Sequence, residues 1–186
     1  MTATPYEFVA IAGSGTIATG LAAVASTSSG KVVMLVRSEE SADRALTAVE
    51  KASRRIPGAN PSRVTTTMEI ADLAEANLLV EAVVEDAGVK ADLLRRISEV
   101  APRADLATTT SSLSITKLGE DSGAADRVYG LHVFNPVPAM QLVELIFPDP
   151  VTEEVAERAH DWCHILEKTA VELPDTAGFA VNRLLF

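Results

Sequence analysis

The chain alternates short apolar runs with longer segments in which apolar residues recur every three or four positions. A continuous apolar run of strand length marks a strand buried on both faces, and the longer period marks an amphipathic helix. The first run, "EFVAIAG" (7–13), predicts a buried strand, and "TIATGLAAVASTS" (16–28) predicts a helix of small residues. "KVVMLVR" (31–37) predicts a second strand, followed by a helix through "ADRALTAVEKASRR" (42–55). A Pro/Gly break at "PGANP" leads to "RVTTT"; then come strand "NLLVEAV" (77–83) and helix "VKADLLRRISEVA" (89–101). Strands "DLATTT" (105–110), "RVYGLHV" (127–133) and "MQLVELIF" (140–147) precede a helix over 152–168 and a strand "AVELP" (170–174). Strands alternating with helices predict an α/β fold, a doubly wound and mostly parallel sheet with helices on both faces.

Composition narrows this picture. With 186 residues, 47% of them apolar but only 4% aromatic, one domain with a core of Ala, Val and Leu is expected. The single cysteine, Cys163, excludes an internal disulfide framework and fits a reducing compartment. No apolar stretch reaches the length of a membrane span, and residues 1–10 lack the basic-then-apolar plan of a secretory signal, so a soluble, cytoplasmic protein is expected. A net charge of −10 argues against a nucleic-acid surface. It does not exclude anionic ligands, because backbone N–H groups bind phosphate inside an acidic protein.

Between the first strand and the first helix lies "GSGTIA" (13–18). Gly13 suits a tight turn, Gly15 lets the backbone approach a pyrophosphate, and Ala18 takes the third small position, where helix packs closely on strand. Thr16 and Ile17 complete the loop, and the helix N-terminus aims its N–H groups at the phosphates. In a β-α-β setting this is the fingerprint of a Rossmann-type dinucleotide site. At the end of the second strand, where an acid would accept from the ribose 2′-hydroxyl, stand Arg37 and Ser38. Arginine pairs with a 2′-phosphate, which tilts the cofactor from NAD(H) toward NADP(H); the alternative has Glu39 or Glu40 reach the ribose.

Five separated segments carry a further resemblance: "IAGSGTIATG", "LLVEAVVEDAGVK", "TTTSSLSIT", "GLHVFNPVPAMQLVELI" and "DTAGFAVNRLL". In this order they resemble the NAD-binding domain of the L-3-hydroxyacyl-CoA dehydrogenases. The resemblance implies that His132 is the catalytic histidine, Glu144 the carboxylate that orients it, Ser111 the serine that bonds the substrate oxygen, and Asn182 the asparagine that completes the site. It also implies that Glu85 contacts the cofactor, that Lys90 meets both cofactor and coenzyme A, and that Asn135 adjoins the substrate. An acyl-CoA substrate is implied as well, with a helical C-terminal domain that closes the cleft and makes a homodimer. Residues 1–176 are then the NAD(P)-binding domain, and residues 177–186 begin a linker or first helix of a domain outside this chain.

The chemistry agrees with these residue types. Oxidising a secondary alcohol needs a base for the hydroxyl proton, and histidine titrates near working pH. A carboxylate on its far nitrogen fixes the tautomer and stabilises the imidazolium. Pro136 and Pro138 enforce a bend between His132 and Glu144, so two adjacent strands bring the pair together. Ser111 and Ser112 are also candidate helix caps. No metal site is expected: His160 and His164 share a helix face without an H-E-x-x-H pattern. Lys51, Arg54 and Arg55 read as a solvated basic face, with the coenzyme A phosphates as the alternative partner.

This sequence departs from the family's pattern at Thr109, where Asn is usual, and at Ile17, where Met is frequent. It is also short between the second strand and "RVTTT", where the family has a helical hairpin that helps hold coenzyme A. Two alternatives therefore stay open, a dehydrogenase of a free 3-hydroxy acid and a non-catalytic dinucleotide-binding module.

Overall fold

In the computed structural model, residues 4–176 together with 178 and 179 are described. The first half of the chain forms β1 (Phe8–Ala12), α1 (Thr16–Ala25), β2 (Lys31–Leu35), α2 (Glu39–Ser53), β3 (Val64–Thr67), β4 (Leu78–Glu81) and α3 (Ala87–Val100). The second half forms β5 (Asp105–Thr108), α4 (Ile115–Ser122), β6 (Val128–Val133), β7 (Leu142–Ile146), α5 (Glu153–Ile165) and β8 (Thr169–Glu172). The strands make one sheet in the order β3-β2-β1-β4-β5-β6-β7-β8. All neighbours are parallel except β6 and β7, which are antiparallel.

The continuous apolar runs are apolar because both faces of the sheet are covered. Along β1, Val9 and Ile11 enter a core with Leu21 of α1, Val49 of α2 and Trp162 of α5. Phe8, Ala10 and Ala12 enter a second core with Leu94 and Ile97 of α3 and Leu118 of α4. Three helices thus cover one face and two the other, the doubly wound Rossmann arrangement expected from the sequence.

The strands near the cleft end earlier than their apolar runs predict, for a physical reason. After β4 the amide of Val83 donates to Glu81 Oε1 (2.7 Å) and leaves the ladder. After β5 the amide of Ser111 donates to Glu85 Oε1 (2.9 Å) instead of to a strand. The predicted start of α2 at residue 42 moves back to Glu39, because Ser38 is the N-cap and accepts from the amide of Ser41 (3.2 Å). Strand β3, within "RVTTT", and helix α4 are additions to the predicted elements. Helix α4 is capped by Ser114, not by Ser111 or Ser112, and ends at Gly123 with φ 71°.

Candidate active site

The turn from β1 into α1 requires glycine at its first position. Gly13 has φ +134°, and a Cβ there would stand 2.4 Å from the carbonyl oxygen of Ala82 at the end of β4. Gly15 is the N-cap of α1, and a Cβ built on it would meet nothing within 4 Å, so open space lies above this backbone. No side chain caps α1 and no acid sits in its first turn. Its leading N–H groups are therefore unopposed donors for an anion. Ala18 is fully buried beneath them. These features fit a dinucleotide pyrophosphate.

A cleft of about 930 Å³ runs over the carboxyl ends of the strands, across the point where strand order reverses between β1 and β4. Gly13, Gly15, Thr16 and Ile17 line it beside Arg37. Glu85, Lys90 and Ser111 line its middle, and His132 and Asn135 its far end. Of the residues expected at the site, Ser38 is engaged in capping α2, with its Oγ 2.7 Å from Ser41 Oγ.

His132 and Glu144 face each other as a register pair of the antiparallel β6–β7 ladder. Nδ1 of His132 lies 2.5 Å from Oε2 of Glu144, and the residues are only 6% and 1% exposed. A carboxylate can only accept, so Nδ1 carries the proton and Nε2 is the nitrogen left for the cleft. The rings of Phe134 and Phe179, 4.7 and 5.4 Å away by centroids, wall the imidazole. The bend that joins the strands is held from outside: Lys168 Nζ donates to the carbonyls of Val137 (2.7 Å) and Met140 (2.8 Å).

A buried charge network supports the loop that carries Ser111. Glu81, at the end of β4, is fully buried and accepts from Lys90 Nζ with both oxygens (2.8 and 3.0 Å) and from Thr108 Oγ1 (2.7 Å). Lys90, 1% exposed, also lies 3.4 Å from Glu85 Oε2. The other oxygen of Glu85 accepts from Thr110 Oγ1 (2.6 Å), from the Ser111 amide, and from Ser112 Oγ (3.2 Å). Burial raises the Glu85 pKa, but the bonds from Thr110 and Ser111 and the charge of Lys90 outweigh it and hold this carboxyl below its ordinary value.

Asp175 anchors the segment that follows β8. It accepts from the amides of Ile115 (3.2 Å) and Thr116 (2.8 Å) and from the hydroxyls of Ser114 (3.0 Å) and Thr116 (2.7 Å), at the N-terminus of α4. Four residues later Phe179 rests on His132. Asn182 and the expected linker that contains it lie outside the described residues, apart from Gly178 and Phe179. Glu81, Asp175 and Lys168 were not singled out from the sequence. Glu81 had one signal, an acid closing an apolar strand with a lysine nine positions on. On α5, His160 bonds Glu172 Oε1 (2.6 Å), while Cys163 faces the core. Among the described residues no helix is long and apolar enough to cross a membrane.

Comparison with known proteins bears on this geometry. Residues 8–176 match the family model described as "3-hydroxyacyl-CoA dehydrogenase, NAD binding domain". The mitochondrial hydroxyacyl-coenzyme A dehydrogenase of Sus scrofa is 33% identical over 196 residues, covering 96% of this chain and 62% of that protein. A probable 3-hydroxybutyryl-CoA dehydrogenase of Deinococcus radiodurans is 34% identical, covering 94% of this chain and 66% of that protein. The crystal structure of M. tuberculosis FadB2 superposes with a TM-score of 0.90 at 32% identity, covering 97% of this chain and 68% of that one. The chain spans somewhat less than two thirds of the length of these two curated relatives. It belongs to the 3-hydroxyacyl-CoA dehydrogenase family, as an NAD-binding domain of that family.

Proposed function

We propose that this chain is the dinucleotide-binding domain of an enzyme that oxidises an L-3-hydroxyacyl-CoA to the 3-ketoacyl-CoA, or runs the reverse reduction. The observation that carries this reading is the buried His132–Glu144 pair, 2.5 Å apart, whose histidine lines the cleft that begins at the glycine turn. In the oxidation His132 Nε2 takes the hydroxyl proton of the substrate. Nδ1 stays bonded to Glu144, whose charge stabilises the imidazolium. Ser111 and Asn182 hold the substrate oxygen in its alcohol and carbonyl forms, and Asn135 adjoins it. A nicotinamide cofactor held at the glycine turn would supply the hydride acceptor for the carbon that bears this hydroxyl. Lys90, with its ammonium held by Glu81 and Glu85, acts by fixing Glu85 and the Ser111 loop.

The finer cofactor reading is NADP(H), supported by Arg37, which lines the cleft where an acid would otherwise take the ribose 2′-hydroxyl. A helical domain after residue 176 that closes the cleft and forms a homodimer belongs to the same proposal, as does a cytoplasmic location.

One observation favours a second reading, oxidation of a free 3-hydroxy acid. A single α-helix and a short 3-10 turn link β2 to β3.

The test is acetoacetyl-CoA-dependent oxidation of NADH and of NADPH by the full protein that contains this chain, with His132→Ala as control. Turnover that disappears in the control supports the proposal. Dinucleotide binding with no turnover of acetoacetyl-CoA overturns the coenzyme A assignment, and turnover of free 3-hydroxybutyrate then favours the second reading.

A further inference from the structure

Beyond its pyrophosphate and nicotinamide ends, the cleft has a third region built from Arg37 after β2, Met68 and Ile70 after β3, and Leu93 and Arg96 on α3. Three observations set it apart. Met68 is 51% exposed although it lines a cleft, as expected of an apolar wall whose cover is a ligand. Arg96 makes no ion pair among the described residues, while its neighbour Arg95 binds Asp92 and Glu99 at 2.8 Å each. Helix α3 therefore satisfies one arginine on its outer face and presents the next to the cleft. Arg37 likewise has no ion pair among the described residues.

The nearby acids do not neutralise these cations. Glu40, in the first turn of α2, pairs with Arg44 one turn further along. Glu39 is exposed and forms no ion pair among the described residues. Ser38 caps the amide of Ser41, so the two preceding amides of the first turn, those of Glu39 and Glu40, stay without a side-chain acceptor next to Arg37.

We infer that Arg37 and Arg96 form a two-cation subsite for a phosphomonoester on the adenosine ribose, the 2′-phosphate of NADP(H), with the adenine against Met68, Ile70 and Leu93. Arg96 is the new specificity-determining residue. The inference rests on the reading of the cleft as a dinucleotide site. Arg37 meets the phosphate from the strand end, beside the N–H groups of α2. Arg96 meets it from the opposite wall, where its planar guanidinium also stacks on the base. Both guanidinium groups are exposed, so they can take an anion without breaking an existing ion pair, and a 2′-phosphate offers each a charged acceptor where a 2′-hydroxyl offers only a neutral one.

The test is equilibrium binding of 2′,5′-ADP and of 5′-AMP, followed by NADPH and NADH, to the full protein and to its Arg37→Met and Arg96→Met variants. Arg95→Met serves as the outer-face control. All three arginines are exposed, and melting temperatures confirm that the variants fold. The expected result is that 2′,5′-ADP binds more tightly than 5′-AMP by about tenfold or more, the scale of one charge-assisted hydrogen bond. Each cleft variant should remove most of that ratio and Arg95→Met none of it. Equal weakening of both ligands by Arg96→Met makes it an adenine contact only and overturns the subsite, as does an unaltered ratio. A wild-type protein that binds NADH but does not discriminate between the two nucleotides overturns the subsite while leaving the dinucleotide reading intact. Failure to bind any of the four ligands overturns both.

Discussion

Lys90 and Glu81 form an ion pair that solvent does not reach, with the ammonium 2.8 and 3.0 Å from the two carboxylate oxygens. Lys90→Met leaves the Glu81 carboxylate buried with Thr108 and a backbone amide as its remaining donors. Removing one partner of such a pair costs roughly 3–5 kcal/mol. The urea midpoint of Lys90→Met should fall accordingly, and adding Glu81→Gln should recover part of the loss. A Lys90→Met protein as stable as wild type would show that the pair does not hold the β4–α3 junction. Loss of activity in a Lys90 variant therefore does not by itself report coenzyme A contact.

If His132 is the base, as proposed, His132→Ala should lower kcat by about 10²–10⁴-fold, the usual share of general acid–base catalysis. Dinucleotide affinity, measured by cofactor fluorescence, should stay within a few-fold. Glu144→Gln should also lower kcat, because an amide can accept at the histidine but carries no charge to stabilise the imidazolium. Equal kcat in wild type and Glu144→Gln would remove the glutamate from the mechanism.

Gly13→Ala meets two obstacles, a φ of +134° and the Ala82 carbonyl 2.4 Å from the new methyl. The loss of stability should exceed about 1 kcal/mol. At Gly15, where the space above the backbone is open, alanine should instead weaken dinucleotide binding with a smaller change in melting temperature.

Asp175→Ala leaves the Ile115 and Thr116 amides at the start of α4 without their side-chain acceptor and should cost about 0.5–2 kcal/mol. Burial raises the Asp175 pKa, but the bonds from Thr116, Ile115 and Ser114 outweigh it and lower the value overall. A depressed carboxyl pKa stabilises the fold above its ordinary titration range and loses that contribution as pH falls through the folded value. Glu85 follows the same sign. Wild type should therefore lose stability more steeply below the ordinary carboxylate range than Asp175→Asn does. Parallel stability–pH curves for the two proteins would contradict the assignment.

Burial pushes the Cys163 thiol up to about 12. Thiolate is the reactive form, so iodoacetamide at pH 8 should label the native chain far more slowly than the urea-unfolded chain. Rapid labelling of the native protein would mean that α5 opens locally.

How much of this was legible in the sequence follows from how local each constraint is. The glycine turn was legible because positive φ and close approach restrict single positions. The His132–Glu144 pair was legible in outline, since the prolines between them force a bend, but their register is a property of the ladder. Strand β3 is short and threonine-rich, and helix α4 spans only Ile115–Ser122, so neither has a long apolar period. The partnership of Glu81 with Lys90 joins a strand end to a helix and is visible only once both are folded. Arg96 was hidden in a double arginine whose two members point to different environments.

The Lys168 clamp on the Val137 and Met140 carbonyls separates two tasks along this stretch of chain. Ladder bonds between β6 and β7 set the distance between histidine and glutamate, while the lysine sets the course of the connection between them. Substitutions within that connection should therefore leave the His132–Glu144 distance unchanged. For an engineer, the bend is an interchangeable fitting mounted on a permanent frame.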